Sequence, residues 1–462
     1  MKIVVIGNGS IALMTAWEAI KRIPDAEITI LAPHARLGSA SLAAAAMFNS
    51  FAEIEVGTLD NKYEKAKWLF NHQATPYWKS ILPELEGESG ASINHGFGTF
   101  LINNHFSDNL EDQNYEAILS ALDEYSEPHQ LLNPEDIPCY KPESKGRASR
   151  CTYIPNEGYC NPVELIKALD KVIIMSGRAN FVDDFCKSIQ TGPQGIIHTA
   201  VGSSGEKYKG DIFLLAPGAN FTKIVQESNL SLEFPKIFYG AGCTALLQTG
   251  SNTVESCIRT PNRGLACGLY SAPRSNDETI VGATNSVVPW PVKSPATGSV
   301  YSLLKGAIEQ INTVFYKAEL KTINMGWRPT SEDTLPMIGG TEISNLYIAT
   351  GTKRDGLHCS PLIAKCLIDS ILGQKAACEL SLFAPDRKPV KIYSRTEAVE
   401  KYVRHVMNAN YQHDFSPAKN RMLEQMESMY RQDIENLHDK IGAQTWGIPP
   451  ELIDMYRYGH IS

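Results

Sequence analysis

A glycine-rich turn near the start of the sequence constrains the fold more than any other feature. Residues 7–12 read G-N-G-S-I-A and fit the pattern G-x-G-x-x-A. The turn follows an apolar strand that ends at Ile6, and the helical pattern of residues 10–23 begins inside it. A second apolar strand follows at residues 28–31. This order predicts a βαβ unit with two parallel strands, which is typical of the α/β class and of Rossmann-type domains.

Small residues in this turn have a chemical role in dinucleotide binding. Gly7 makes the tight turn, Gly9 lets backbone N–H groups approach a pyrophosphate, and Ala12 lets the helix and strand pack closely. The helix N-terminus directs its positive dipole end toward the phosphates. We therefore assign Gly7, Gly9, Ser10, Ile11 and Ala12 to a dinucleotide. The alternative is a turn with a structural role alone, since glycine-rich turns are common.

The end of the second strand lacks the residue that usually completes such a site. An Asp or Glu at this place binds the ribose hydroxyls, whereas Ala32 and Pro33 occupy it here. One alternative is NADP, with Arg36 near the 2′-phosphate. The other is FAD, with its ribose held by other groups such as His34 or Arg36. The turn by itself does not separate the two.

Composition excludes several other classes of function. The formal net charge of −8 argues against nucleic acid as the main partner, because phosphate binding needs clustered Lys and Arg. No apolar run reaches the roughly 18 residues of a membrane span. The ten cysteines include no C-x-x-C pair and no zinc-type ligand set. We therefore expect no metal site, and a reducing cytoplasm is the simplest location.

More strands of a parallel sheet are predicted in the middle and late parts of the chain, at residues 211–216 and 346–350. Residues 243–248 and 278–283 are typical of antiparallel strands. A chain of 462 residues is too long for one ordinary core and suggests two or three structural units. The sequence therefore predicts an α/β fold in which antiparallel strands are interleaved with a parallel sheet.

Three longer segments carry a family resemblance. Residues 39–48 read S-A-S-L-A-A-A-A-M-F, residues 325–329 read M-G-W-R-P, and residues 348–356 read I-A-T-G-T-K-R-D-G. They are similar, in order, to the segment that runs under the flavin in glycine oxidases, to the G-x-R-P block and to the A-T-G-H-x-R-N-G segment. Weaker matches fall at residues 154–162, 215–219 and 270–285. The chain thus resembles the FAD-dependent D-amino-acid oxidase family, glycine oxidase-like, from residue 1 to about 388.

The resemblance implies a division into domains. Residues 1–85, 150–232 and 325–389 would form a Rossmann-type FAD-binding domain. Residues 86–149 and 233–324 would form an interleaved substrate domain with a mixed or antiparallel sheet. Residues 390–462 lie outside the resemblance and are predicted to form a helical C-terminal extension. Such an extension usually packs on its own protein, and the alternatives are a contact with a second copy or a partner protein, or a lid over the active site.

The resemblance also implies an activity. The family passes a hydride from the α-carbon of an amine to the flavin, the imine hydrolyses, and oxygen reoxidises the flavin to give hydrogen peroxide. We expect a small amino acid or secondary amine as substrate and O2 as acceptor. The FAD is expected to be non-covalent, because no cysteine stands just before Trp327, where sarcosine-type oxidases attach it. The alternatives are a dehydrogenase of the same fold that passes electrons to a partner or a quinone, and an accessory subunit of a biosynthetic complex.

Further cofactor-binding residues follow from the same motifs. The resemblance assigns to FAD the residues Arg36, Ser41, Ala45, Ala46, Met47, Gly218, Gly351, Asp355, Gly356 and Leu357. Ala46 replaces a glycine that lies beneath the flavin in the family, so the approach of the backbone is expected to differ there.

Arg328 of the R-P motif is the main candidate for substrate binding. The resemblance implies that it clamps the substrate carboxylate, since a planar guanidinium matches a carboxylate bidentately. Tyr270 matches a tyrosine that supports the same carboxylate, and Arg354 matches an arginine near the substrate and flavin. The alternatives are structural ion pairs and a half-buried strand tyrosine. We name no general base, because positioning a neutral amine over the flavin supplies much of the rate.

Polar residues replace family residues at three other positions of the expected pocket. They are Asn285, Lys353 and His358, which stand where the family carries apolar, aromatic or aliphatic side chains. These residues predict a substrate more polar than glycine. Alternatively, Lys353 and His358 point to solvent.

Overall fold

A computed structural model describes residues 1–104, 108–265, 267–412 and 420–461. The strands are β1 (Lys2–Ile6), β2 (Glu27–Leu31), β3 (His95–Asn104), β4 (Gln130–Leu132), β5 (Ala148–Cys160), β6 (Ala179–Val182), β7 (Cys186–Thr191), β8 (Ile197–Gly202), β9 (Lys207–Lys209), β10 (Ile212–Leu215), β11 (Ile237–Gln248), β12 (Cys257–Arg259), β13 (Tyr270–Pro273), β14 (Glu278–Gly282), β15 (Ser286–Val288), β16 (Glu319–Ser331), β17 (Met337–Gly340) and β18 (Leu346–Thr350). The helices are α1 (Ser10–Arg22), α2 (Ala40–Ala43), α3 (Lys62–Ala74), α4 (Trp78–Ser89), α5 (Asn109–Glu124), α6 (Pro162–Met175), α7 (Phe221–Ser228), α8 (Thr297–Gln310), α9 (Ser360–Ile371), α10 (Arg395–Gln412), α11 (Asn420–Lys440) and α12 (Ile453–Arg457).

The smaller of the two main sheets is built around β1. Its order is β17-β18-β10-β1-β2-β6, and its neighbours are parallel except for β17, which is antiparallel to β18. The register places Val5 between Ile30 of β2 and Leu214 of β10. The predicted βαβ unit and the later parallel strands at β10 and β18 are confirmed.

Both faces of this sheet are covered, because β1 is apolar on both sides. Ile3 and Val5 lie in a core formed with α1, α6 and α9. Val4 and Ile6 lie in a second core formed with α7 and the small sheet β7-β8-β9. The alternation follows from the two-residue period of a strand. Burial of each such side chain stabilises the fold by roughly 1.5–3 kcal/mol.

The larger sheet is mixed, as the resemblance implied. Its order is β15-β11-β14-β13-β12-β3-β5-β4, and β16 pairs with β11. The β12–β3 pair is parallel, and the other pairs are antiparallel. Helix α8 packs on this sheet with Leu303 and Ala307 in the shared core.

Two predicted domain boundaries fall inside strands of the larger sheet. The boundary at residue 150 cuts β5, and the boundary at residue 325 cuts β16. Both strands run on toward the smaller sheet, where isolated bridges join Ser39 to Trp327 and Met47 to Tyr159. The segment after β2 is therefore joined to strands of the larger sheet.

Residues 390–461 carry α10, α11 and α12 and form the C-terminal extension. These helices share a core of their own, to which Phe238 of β11 and Val287 of β15 contribute. At the start of α10 the Ser394 N–H donates to Glu397 Oε2 at 2.7 Å, and the Glu397 N–H donates to Ser394 Oγ at 3.3 Å. This reciprocal pair is a capping box. The extension is therefore packed on the body of the protein.

Three chemical properties of the described chain bear on function. No helix within the described ranges is both long and apolar enough to cross a bilayer. The described His, Cys, Asp and Glu side chains form no group of three that could hold a metal ion. All ten cysteines are free thiols, and the Sγ atoms of Cys366 and Cys378 lie 2.9 Å apart.

We expect Ile434→Ala to loosen the extension. Ile434 of α11 is fully buried in the cluster that contains Phe238, and such a substitution costs about 2–5 kcal/mol. Met429→Ala removes an exposed side chain from the same helix and should change the free energy of unfolding by less than about 0.5 kcal/mol. Urea unfolding, with hydrogen exchange of residues 390–461, measures both. Equal effects of the two substitutions would contradict this packing.

Candidate active site

A cavity of about 460 Å³ is lined by residues of both main sheets. This volume lies within the roughly 300–1,000 Å³ of typical ligand sites. The predicted residues that line it are Gly7, Gly9, Ser10, Ile11, Arg36, Ser41, Ala45, Ala46, Met47, Gly218, Tyr270, Arg328, Lys353, Arg354, Asp355, Gly356, Leu357 and His358. Ala12 and Gly351 lie outside this lining: Ala12 is buried in the core around α1, and Gly351 turns the chain at a φ of 70°.

The glycine turn occupies one end of the cavity. Gly7 has a φ of 125°, and a Cβ there would overlap the carbonyl of Ala216, so only glycine fits. Gly9 is the N-cap residue of α1 and has no side chain to accept hydrogen bonds from the first turn. Backbone N–H groups of that turn are therefore available to an anion. The Ser10 N–H donates to Ser41 Oγ at 3.0 Å, which ties the turn to the segment after β2.

Arg36 is placed differently from either sequence interpretation. Its guanidinium donates to both carboxylate oxygens of Asp170, at 2.8 and 2.6 Å, and its Nε donates to the carbonyl of Asn8 at 3.1 Å. Because the guanidinium is paired with a carboxylate of α6, Arg36 is part of the cavity wall and is not free to bind a phosphate. Of the described residues that line the cavity, Glu53 and Asp355 are the acids, and neither belongs to the end of β2.

The four alanines at residues 43–46 form a wall of small side chains, which Met47 follows. The carbonyl of Ala46 accepts from the Cys160 N–H at 3.0 Å, and the Phe48 N–H donates to the carbonyl of Gly158 at 2.7 Å. These bonds fix the segment on β5. Ala46 has a φ of 56°, in the left-handed region where glycine is favoured. Ala46 therefore adopts a backbone conformation that costs an L-residue free energy.

Arg328 stands on β16, opposite Gly240 of β11. Its Nη1 donates to the carbonyl of Thr284 at 2.9 Å and to Asn285 Oδ1 at 3.2 Å. The guanidinium lies across Gly242, where a Cβ would overlap it. One nitrogen is thus anchored, and a guanidinium carries five N–H donors in all, so others remain for a ligand.

Tyr270 of β13 is buried beside the same cavity. Its hydroxyl packs over Gly282, where a Cβ would overlap it. Burial raises the pKa of Tyr270, with smaller opposing effects from Arg328 and Arg259. The hydroxyl therefore stays neutral and can donate a hydrogen bond.

Arg354 shares Glu53 with a second arginine. Arg354 Nη2 lies 3.4 Å from Glu53 Oε2, and Arg259 Nη1 lies 2.7 Å from Glu53 Oε1. Burial alone would raise the pKa of Glu53, but Arg259 and Arg354 outweigh it and hold that pKa at about 2. Glu53 is therefore a permanent anion that keeps Arg354 at the edge of the cavity.

Lys353 and Asn285 lie next to Arg354 and Arg328, respectively. Lys353 is half-buried and forms an ion pair with Glu451 of the C-terminal extension. Asn285 accepts from Arg328 and donates to the carbonyl of Leu265 at 3.3 Å. It lines a neighbouring smaller cavity rather than the main one.

His358 is buried at the wall of the cavity. Its Nε2 lies 2.9 Å from Thr75 Oγ1, and its ring packs near Phe48. Burial lowers the pKa of His358 to about 4, so the ring is neutral near pH 7. The side chain therefore does not point to solvent, and its hydrogen bond joins the cavity wall to the α3–α4 junction.

A family model described as "DAO: FAD dependent oxidoreductase" matches residues 2–370. The chain belongs to this family of FAD-dependent oxidoreductases. Among curated relatives, the bifunctional protein ThiO/ThiG of Nostoc sp. is 25% identical over 382 residues, which cover 82% of this chain and 54% of the relative. Glycine oxidase of Geobacillus kaustophilus is 24% identical over 241 residues, or 52% of this chain and 60% of that one. The chain thus spans about half the length of the curated relatives it matches.

Solved structures share the fold. Glycine oxidase from Geobacillus kaustophilus superposes with a TM-score of 0.70 at 20% identity, covering 84% of this chain and 98% of that one. Iminodiacetate oxidase from Chelativorans sp. BNC1 gives a TM-score of 0.70 at 18% identity, with 84% and 100% covered. The remainder of this chain corresponds in length to the C-terminal extension.

FAD is the cofactor of this family, and the residues present fit it. The uncapped first turn of α1 suits the pyrophosphate, and the wall of alanines at residues 43–46 leaves room for a flat ring beside the backbone. Gly218 and Gly356, which follow β10 and β18 of the smaller sheet, also line the cavity. Arg328 and Tyr270 of the larger sheet complete the lining, so both sheets contribute to this site.

Sequence reasoning missed several residues that shape this DAO-family site. Gly242 had a signal, since a glycine inside an apolar strand indicates close approach by another group. Glu53 had none, because its partners Arg259 and Arg354 lie far away along the chain. Cys267 and Asn49 also line the cavity and were not predicted.

Ala46→Gly is expected to cost less stability than Ala45→Gly. Both remove one buried methyl group, but only Ala46 has a positive φ, which costs an L-residue about 1–2 kcal/mol. The two free energies of unfolding, measured in urea on FAD-loaded protein, should differ by about 1 kcal/mol. Equal losses would show that the left-handed conformation at Ala46 carries no strain.

Gly242→Ala should displace Arg328 and weaken carboxylate binding while FAD stays bound. The new Cβ overlaps the guanidinium, so the arginine must leave its place beside Thr284. Titration of the flavin absorbance with acetate gives the dissociation constant, which we expect to rise at least about tenfold. Gly87→Ala in α4 meets nothing within 4 Å and is the matched control. An unchanged acetate affinity in Gly242→Ala would argue against this placement of Arg328.

Proposed function

We propose that this chain is an FAD-dependent oxidase that acts on the C–N bond of a small amino acid or secondary amine and releases hydrogen peroxide. The observation that supports this most is the place of Arg328. Its guanidinium is anchored on Thr284 and Asn285 and lies in the same cavity as the dinucleotide turn. The names glycine oxidase and iminodiacetate oxidase among the similar proteins support the same substrate class.

The substrate carboxylate is bound by Arg328 and Tyr270. The planar guanidinium offers parallel donors to both carboxylate oxygens, and the neutral Tyr270 hydroxyl adds a third donor. Glu53 lies beside Arg354, which keeps that side of the cavity polar. Fixing the carboxylate fixes the α-carbon and amine relative to the cavity wall, which supplies much of the rate.

The chemistry that FAD supplies when bound is acceptance of a hydride from the α-carbon of the amine. The polar groups of the chain in this cavity bind and orient, and none of them is assigned as a general base. For a primary amine, one amino acid, one O2 and one water give one 2-oxo acid, one ammonia and one hydrogen peroxide. Non-covalent FAD would be recovered in solution after the protein is precipitated with acid.

The test is an anaerobic titration of the purified protein, followed by its visible spectrum. Glycine, sarcosine and D- and L-amino acids are added in turn, and we expect one of them to bleach the flavin absorbance. Admission of oxygen should then restore the absorbance and release one peroxide for each amine consumed. Slow reoxidation by oxygen with fast reduction of a quinone or dye would favour a dehydrogenase instead. A flavin that no amine reduces would contradict both enzymatic functions.

Arg328→Met should lower kcat/KM for the best amine by at least about 30-fold, because loss of a charge-assisted carboxylate contact costs about 2 kcal/mol or more. Arg328→Lys keeps the charge without the planar fork and should recover only part of the loss. Lys321→Met is the matched control, since Lys321 is an exposed cation on the same strand. Steady-state oxygen uptake measures all three. If Arg328→Met and Lys321→Met behave alike, the carboxylate assignment is wrong.

A further inference from the structure

Two cysteine side chains are in contact near the end of the part of the chain that matches the family. Cys366 lies on α9 and is fully buried, whereas Cys378 follows that helix and is half-buried. Their Sγ atoms are 2.9 Å apart, and the two residues are 12 positions apart in the chain. The sulfur atoms of a disulfide are about 2.05 Å apart. A movement of roughly 1 Å would therefore bring these sulfurs to bonding distance.

Hydrogen bonds that do not involve sulfur hold the chain in this position. The Gln374 N–H donates to the carbonyl of Asp369 at 2.8 Å, and the Ala377 N–H donates to Asp369 Oδ2 at 3.1 Å. The other carboxylate oxygen of Asp369 lies 2.7 Å from Nη1 of Arg22 on α1. The segment before Cys378 is thereby fixed on α9, so the two sulfurs are held together without a covalent bond.

The hydrogen bond between the thiols makes one sulfur the better nucleophile. The Cys378 thiol donates to Cys366 and lowers the pKa of Cys366, although burial opposes this effect. The backbone N–H groups of Cys378 and Ala377 lower it further. The same hydrogen bond, together with burial, raises the pKa of Cys378. Because the thiolate is the reactive form of cysteine, Cys366 is the sulfur that attacks an oxidised partner.

The place of the pair in the chain gives a covalent bond there a structural consequence. The family model ends at residue 370, so Cys366 lies inside the matched region and Cys378 lies beyond it. Cys366 packs in the core that α9 shares with α1, the helix of the dinucleotide turn. The residues after Cys378 lead to the C-terminal extension. A bond between the two sulfurs would tie the start of this connection to that core.

We propose that Cys366 and Cys378 form a disulfide when hydrogen peroxide oxidises them. The half-exposed Cys378 first forms an S–O bond as the O–O bond breaks, which gives a sulfenic acid and one water. The Cys366 sulfur then attacks that sulfur, so the S–S bond forms, the S–O bond breaks and a second water leaves. Both thiol protons leave in the waters. Two thiols and one peroxide thus give one disulfide and two waters.

The test uses the full-length FAD-loaded protein without any amine, so that all of the peroxide is added and none comes from turnover. Catalase removes the excess peroxide after a fixed time. Free thiols, counted in denaturant with a thiol-reactive dye, should fall from ten to eight, because one disulfide consumes two. Dithiothreitol should restore all ten, since a disulfide is reducible and sulfinic acid is not.

Peptide mapping without reductant identifies the two partners. Trypsin cuts after Lys365, Lys375 and Arg387, so the cysteines fall in separate peptides, residues 366–375 and 376–387. A disulfide joins these peptides into one species whose mass is lower than their sum by two hydrogen atoms. We expect this species to be the main cross-linked product. Alkylation of the remaining thiols before digestion prevents exchange between cysteines.

Cys378→Ser should abolish the cross-link and keep its nine remaining thiols under the same treatment. Cys139→Ser removes the other half-exposed cysteine of the described chain and is the matched control. The control should still form the cross-link and lose two thiols. In the unsubstituted protein, Cys139 should react with peroxide at least about tenfold more slowly than the pair, because it has no thiol neighbour to lower its pKa among the contacts of the described residues.

Retention of all ten thiols would overturn the proposal, and so would a main cross-link between other cysteines. Equal loss of thiols in Cys378→Ser and Cys139→Ser would also overturn it, because that result indicates another site of oxidation. None of these outcomes bears on the proposed function, since no amine is present in the experiment.

Discussion

The antiparallel pairing of β16 with β11 is the interaction on which the site depends. It sets Arg328 opposite Gly240 and beside Gly242, so the guanidinium lies over a strand without side chains in its way. The neighbouring Trp327 N–H donates to the carbonyl of Gly38 at 2.9 Å, which joins this strand to the segment after β2. A long ladder of backbone hydrogen bonds therefore positions both the carboxylate-binding group and the cofactor segment. Sites carried by strands are more rigid than sites carried by loops.

Local pattern predicted the framework of the molecule well. The G-x-G-x-x-A turn and the apolar strands β1, β2, β10 and β18 follow from periodicity and from the need for small residues at the turn. Most of the residues that were assigned from the motif resemblance line one cavity in the structure. These features depend on near neighbours in the chain, which a sequence displays directly.

Pairings between distant residues could not be predicted. The position of Arg36 after β2 predicted that it binds the ribose or a phosphate. In the structure its guanidinium forms a bidentate ion pair with Asp170 of α6. His358 stands in a substrate-side motif, but Thr75 of the α3–α4 junction binds its ring. A partly buried charge needs a partner because desolvation is costly, and which residue supplies it depends on the finished packing. The domain boundaries predicted at 150 and 325 each fall within a strand, β5 or β16, that continues to a bridge with the segment after β2.

The extension contacts the body of the protein through the Lys353–Glu451 pair and, separately, through the apolar core that α11 shares with β11. The smaller cavity is lined by residues of both parts, so a ligand bound there contacts both and favours their association. Thermodynamic linkage makes this coupling reciprocal. If a bound ligand raises the equilibrium constant for association of the extension with the body by some factor, association of the extension raises the affinity for the ligand by the same factor. Ligand affinity in the cavity therefore depends on the stability of helices that do not contact the ligand. Heat or denaturant that partly unfolds those helices would lower the ligand affinity before the whole protein unfolds.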